Sequence, residues 1–132
     1  MLPVANATVS SVRSCAARTE GDIPRIAITT GSWDALECLL RKVGIEDSEF
    51  TSATGDGRVH LYASNGTALI GQNATPVEPA STLWGNLDQM KSYDLMLFSC
   101  EGQRFAEQKP QEFMDNVKHY ADAGGRVFLS HN

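Results

Sequence analysis

The sequence is poor in the residues that announce a chemistry. It has three cysteines and three histidines in 132 residues, and no two cysteines stand at a metal-ligand spacing. An odd number of cysteines cannot all pair within one chain, which argues against a disulfide framework. Neither the phosphate-loop nor the dinucleotide fingerprint is present, so no cofactor and no metal is expected. No apolar stretch approaches the roughly 20 residues of a membrane helix, so membrane insertion is not expected. Lys and Arg total 11 against 16 Asp and Glu, a net charge of −5. With no basic stripe to neutralise phosphates, nucleic acid is not an expected partner. The opening MLPVANATVSSVRS has neither a basic start nor a long apolar run, and no signal peptide is read there. A cytoplasmic location is expected for the chain as given, while relatives carrying extra N-terminal sequence could reach the cell envelope.

Apolar content is 42% and charged content 20%, ordinary for one globular domain with a real core. Residues 1–22 have no clean period and read as a leader or edge segment. Residues 23–132 read as a single α/β domain. Asn6, Asn65 and Asn73 each begin a glycosylation-type triplet, a pattern common by chance.

The first strand is RIAITT at 25–30, and Gly31-Ser32 turns the chain into a helix ending near Val43. Ser32 is the expected N-cap, with Asp34 favouring the positive end of the helix dipole. Leu36, Leu39, Leu40 and Val43 predict its buried face, and Cys38 is expected to be a buried small apolar residue. A short edge strand is expected around Glu49-Phe50-Thr51. RVHLYA at 58–63 alternates, and Asn65-Gly66 separates it from a short run at 68–71, which predicts a β-hairpin there. Ser81 is expected to cap a helix reaching about Met90, weakened by Gly85.

The strongest stretch is 93–132: YDLMLFSC, a loop, a helix, then RVFLSHN. A strand apolar on both faces predicts the middle of a covered parallel sheet. Phe113, Val117 and Tyr120 form one helical stripe, and Gly124-Gly125 supply its C-terminal stop. The order of elements predicts an open, mainly parallel, flavodoxin-like three-layer α/β sheet with an inserted β-hairpin.

In such sheets ligands bind beyond the carboxyl ends of the strands, where strand order reverses. The residues expected there are Thr29, Thr30, Gly31 and Ser32 from the first strand, Ser99, Cys100, Glu101 and Gly102 from the central one, and Ser130, His131 and Asn132 from the last. Glu101 beside Cys100 would raise the thiol pKa and disfavour a thiolate. His60 is expected to face solvent or a hairpin partner, and His119 to be exposed. A metal set of His60, His131 and Glu101 is conceivable, but their spacing does not define one.

YDLMLFSCEG, a helix, and then YADAGGRVFLSH resemble the class I glutamine amidotransferase-like superfamily, closest to its ThuA-like branch. IAITTGSWDALECLLRKVGI fits the first strand and helix of that fold. A similar arrangement is shared with uncharacterised bacterial envelope proteins. The resemblance covers about 24–132. In that superfamily the nucleophilic Cys follows the strand equivalent to 126–130, in a Gly-x-Cys-x-Gly elbow. Here that place reads Ser130-His131-Asn132, and Cys100 lies on the preceding strand, where the family builds an oxyanion loop. Glutaminase chemistry by the family mechanism is therefore not expected. The chain is short for that fold and reads as a truncation; an open sheet edge would then be hidden by pairing in a homodimer.

Two functions follow as expectations. One is a non-catalytic module binding a small molecule or carbohydrate through Thr30, Gly31, Ser32, Gly102 and Asn132, with Trp33, Trp84 or Tyr62 as a stacking face. The other is a small ester or amide hydrolase using Cys100, His131 and Glu101.

Overall fold

A computed structural model describes residues 21–130. The segment 1–20, with Cys15 and most of the expected leader, and the pair His131 and Asn132 lie outside the described residues.

The central strand is β1 (Ile26–Thr29), buried along its whole length. The chain continues through α1 (Leu36–Lys42), β2 (Phe50–Thr51) and β3 (Val59–Tyr62) to β4 (Leu69–Ile70) and β5 (Thr75–Pro76). It then forms α2 (Ala80–Trp84), α3 (Leu87–Lys91), β6 (Leu95–Phe98), α4 (Gln111–Asp122) and β7 (Arg126–Leu129). Five strands make one parallel sheet in the order β2-β3-β1-β6-β7. The chain leaves β1 toward β3 on one side and later returns to β6 on the other. Strand order therefore reverses between β1 and β6, and the strand expected at the centre of the sheet, β6, lies between β1 and β7.

Period-two alternation divides the strands between two cores. Ile26, Ile28, Val59, Leu61 and Leu97 pack with Leu36 and Leu40 of α1 and with Ile70 and Val77 of the hairpin region. Ala27, Tyr62 and Met96 pack on the opposite face with Leu83, Trp84, Met90 and Tyr120. Helices thus cover both faces of a mainly parallel sheet, as α/β patterning requires.

Several local expectations are corrected. RVHLYA is not a hairpin arm: β3 pairs in parallel with both β1 and β2, and the antiparallel hairpin is β4 with β5. Its alternation reflected polar tips rather than exposure, since His60 and Tyr62 are both buried. On α1 the predicted stripe is half right. Leu36 is buried and Leu40 packs against the core, but Leu39 and Val43 are exposed, so the buried face of α1 is narrower than the apolar stripe. Cys38 lies on the exposed flank, and α1 begins after Ala35 without a side-chain cap, so Ser32 is not its N-cap. The helix expected over 81–90 is two helices. Gly85 ends α2, and Asn86 restarts the chain as a cap, its Oδ1 accepting from the Gln89 amide at 3.0 Å, as glycine and asparagine favour. The stop after α4 stands as predicted, with Gly124 at φ 96°.

The polar tips beneath α3 form a chain whose proton directions are fixed by its ends. Gln89 Nε2 donates to the Tyr62 hydroxyl at 3.2 Å, and the two tyrosine hydroxyls lie 2.8 Å apart. Tyr93 Oη lies 2.7 Å from His60 Nδ1, while His60 Nε2 donates to the Gly57 carbonyl at 3.0 Å. Because a carbonyl only accepts, the neutral ring carries its proton on Nε2 and accepts at Nδ1. Burial, then the Arg25 guanidinium, hold His60 below its ordinary pKa of 6.5, and burial pushes the Tyr93 phenol up. An unfolded chain protonates this histidine near pH 6.5 and the folded one only at lower pH. The stability due to neutral His60 is therefore complete above 6.5 and is lost as pH falls toward the folded value. The urea midpoint is expected to hold steady above about pH 7 and to drop as pH falls below about 6.5. In His60→Gln that part of the drop should be missing; equal slopes in the two proteins would exclude His60 as its source.

Candidate functional site

The carboxyl ends of β1, β6 and β7, with the residues after β3, form one polar cluster. Its first member was expected to serve helix α1. Asp34 instead leaves the helix start and accepts from the Cys100 amide at 2.5 Å and from the Ser130 hydroxyl. The Trp33 amide donates to the Cys100 carbonyl at 3.1 Å, and Ser32 Oγ to the Glu101 carbonyl at 3.2 Å. The chain after β1 is thus fastened to the chain after β6. Gly31 lies so close that a Cβ there would overlap the Cys100 carbonyl, and Gly66 rests directly on Gly31.

Glu101 is the second hub. One carboxylate oxygen accepts from the Ser64 hydroxyl and the other from the Lys109 ammonium. Its side chain is almost buried, and that of Lys109 is partly so. Lys109 also lies over the Trp84 ring, 5.4 Å from its centroid, a favourable cation–π placement.

Beside this cluster, between the ends of β6 and β7 and the helices α2 and α4, lies a cavity of about 150 Å³. Its apolar wall includes Trp84, Phe98, Phe113, Val117 and Leu129, and its polar groups come from Thr29, Ser99, Glu101, Lys109 and Ser130. Asn116 Nδ2 donates to the Trp84 carbonyl at 2.8 Å and ties α4 to α2 across one side. Ser99 Oγ and Trp84 Nε1 are buried with no hydrogen-bond partner among the described residues.

The expected site residues are distributed unevenly around this cavity. Glu101 lines it, while Cys100, Gly31, Ser32 and Gly102 do not. Thr30 is fully buried; its hydroxyl donates to the Thr67 carbonyl at 2.9 Å and accepts from the Ser64 amide at 3.2 Å. Gly102 lies against the indole of Trp33. Of the proposed stacking faces, Trp33 is 77% exposed, whereas Trp84 and Tyr62 are buried. His131 and Asn132 lie outside the described residues. His60 has both ring nitrogens engaged by Tyr93 and Gly57, away from Glu101's partners. Among the described residues no cluster of His, Cys, Asp and Glu could hold a metal ion, and no helix is long and apolar enough to cross a membrane. Sequence reasoning missed Asp34, Ser64 and Lys109 as site residues. Ser64 and Lys109 carry no local signature, and Asp34 matched a common role at a helix start.

No family model, curated protein or solved structure matches the chain.

The close packing at Gly31 makes a direct prediction. Gly31→Ala should lower stability by about 1–3 kcal/mol, the usual cost of overpacking, as measured by urea unfolding. The same substitution at Gly71, where a Cβ would meet nothing, acts through backbone strain alone, because φ is 72°. Only Gly31→Ala should also shift the amide signals of Ser99 and Cys100.

Proposed function

We propose that the chain is a non-catalytic module that binds a small organic ligand in the cavity between β6, β7, α2 and α4. The observation that carries this reading is the position of that cavity. It adjoins the place where strand order reverses, where open α/β sheets hold their ligands, and it combines an apolar wall with a few convergent polar groups. The strand order around β1 is also compatible with a flavodoxin-like, amidotransferase-like architecture of the ThuA-like kind, and we keep that relationship as a proposal.

The hydrolase alternative has weaker support. A base-orienting role for Glu101 would have to share a carboxylate whose two oxygens already accept from Ser64 and Lys109. Cys100 has a free thiol, but it does not line the cavity. Carbohydrate stacking is also less favoured than a small ligand, because the exposed indole of Trp33 stands apart from the cavity wall.

A fragment screen followed by the Trp84 indole and Val117 methyl signals tests this reading. Fragments that shift both signals should lose affinity at least about tenfold, about 1.4 kcal/mol, in Val117→Phe, which fills the cavity. They should keep it in Cys100→Ala. Ester or amide turnover that disappears in Cys100→Ala would replace the module with the hydrolase.

A further inference from the structure

The chemistry of the cavity narrows the ligand, and the inference rests on the binding-module reading. We propose that the cavity takes a neutral, ring-sized organic molecule carrying an acceptor oxygen, a phenol being the simplest example, and that Ser99 anchors that oxygen.

Size comes first. An apolar space of about 150 Å³ accommodates a single benzene-sized ring. Trp84, Phe98 and Phe113 offer aromatic surface to such a ring, and Val117 and Leu129 offer aliphatic surface.

Charge comes second. The two ionic groups of the wall, Glu101 and Lys109, are paired with each other, and Ser64 engages the remaining oxygen of Glu101. The lining therefore has no net charge to offer. An anionic ligand would compete with Glu101 for Lys109. It would also approach Asp34, whose carboxylate accepts from the Ser130 hydroxyl and the Cys100 amide and has no cationic partner among the described residues. A cationic ligand would meet the Lys109 ammonium. Either charge would have to leave water for a wall that is mostly hydrocarbon.

The polar anchor comes third. Thr29 and three serines surround the site, and two of the serine hydroxyls are committed: Ser130 donates to Asp34 and Ser64 to Glu101. Ser99 is 7% exposed and its Oγ has no partner among the described residues. Turning this hydroxyl about χ1 toward a ligand breaks no existing hydrogen bond, so the gain is not offset by a loss. The indole N–H of Trp84, in the same wall, is likewise unpartnered and can only donate. An acceptor oxygen on the ligand matches both groups, whereas a ligand with donors alone matches only Ser99.

Four probes of nearly equal size decide the matter: phenol, toluene, benzoate and benzylammonium, titrated at neutral pH into the full chain. Binding is followed by the Trp84 indole N–H and Ser99 amide signals. Phenol is expected to bind about fivefold more tightly than toluene, and both more tightly than the two ions. In Ser99→Ala, phenol should fall to the level of toluene while toluene is unchanged. Benzoate or benzylammonium binding best at the same signals would overturn the ligand class and leave the module standing. Equal binding of phenol and toluene, or phenol binding unchanged in Ser99→Ala, would overturn the anchor. If no probe moves the Trp84 signal, the ligand class and the module reading both fall.

Discussion

The carboxylate of Asp34 is the interaction on which the arrangement of the site depends. It stands in the connection after the central strand and accepts one hydrogen bond from the chain after β6 and one from the end of β7. Hydrogen bonds to an ionised acceptor are about twice as strong as neutral ones, and here two of them converge on a single half-buried side chain. The Trp33 amide reinforces the same join by donating to the Cys100 carbonyl. Gly31 permits it, because any side chain there would occupy the place of that carbonyl. Ser99 and Glu101 flank Cys100 in sequence, so fastening Cys100 also sets the positions of the residues that turn toward the cavity and toward Lys109.

The sheet beneath has a different logic on each face. One face is closed by aliphatic packing among α1, the hairpin region and β1, β3 and β6. The other combines apolar packing with a directed chain of hydroxyl, imidazole and amide groups running from Gln89 to Gly57. A buried chain of this kind stabilises only when every member is satisfied. Its members come from β3, α3 and the start of β6, so it locks the helical layer to the sheet. The same layer supplies Trp84, Phe113 and Val117 to the cavity wall. Tyr120 of α4 adds a bond to the Tyr93 carbonyl at 2.9 Å, linking the wall to that network.

The central parallel strands were legible because β1 and β6 are apolar on both faces, a pattern that few other settings explain. The end of α4 was legible because glycine at that position has a local backbone reason. The position of the hairpin was not legible. His60 and Tyr62 look like an exposed face in a strand, and their burial depends on distant Tyr93 and Gln89 together with the Gly57 carbonyl. The site was legible in outline, since topology alone delivers Ser99, Glu101 and Ser130 to one edge. Its organisation was not. Glu101 meets Ser64 across 37 positions in sequence, and Ser130 meets Asp34 across 96. Pairings at such separations are set by the tertiary fold and leave no periodic trace.

Amide hydrogen exchange at Cys100, compared between the wild-type protein and Asp34→Ala, tests the organising role of Asp34 most directly. The Cys100 amide donates to Asp34, whereas the Ile28 amide lies within the buried central strand. Protection at Cys100 is predicted to fall at least about tenfold in the variant, with Ile28 still protected, which is the signature of local opening. Unchanged protection at Cys100, or an equal loss at Cys100 and Ile28, would contradict the account.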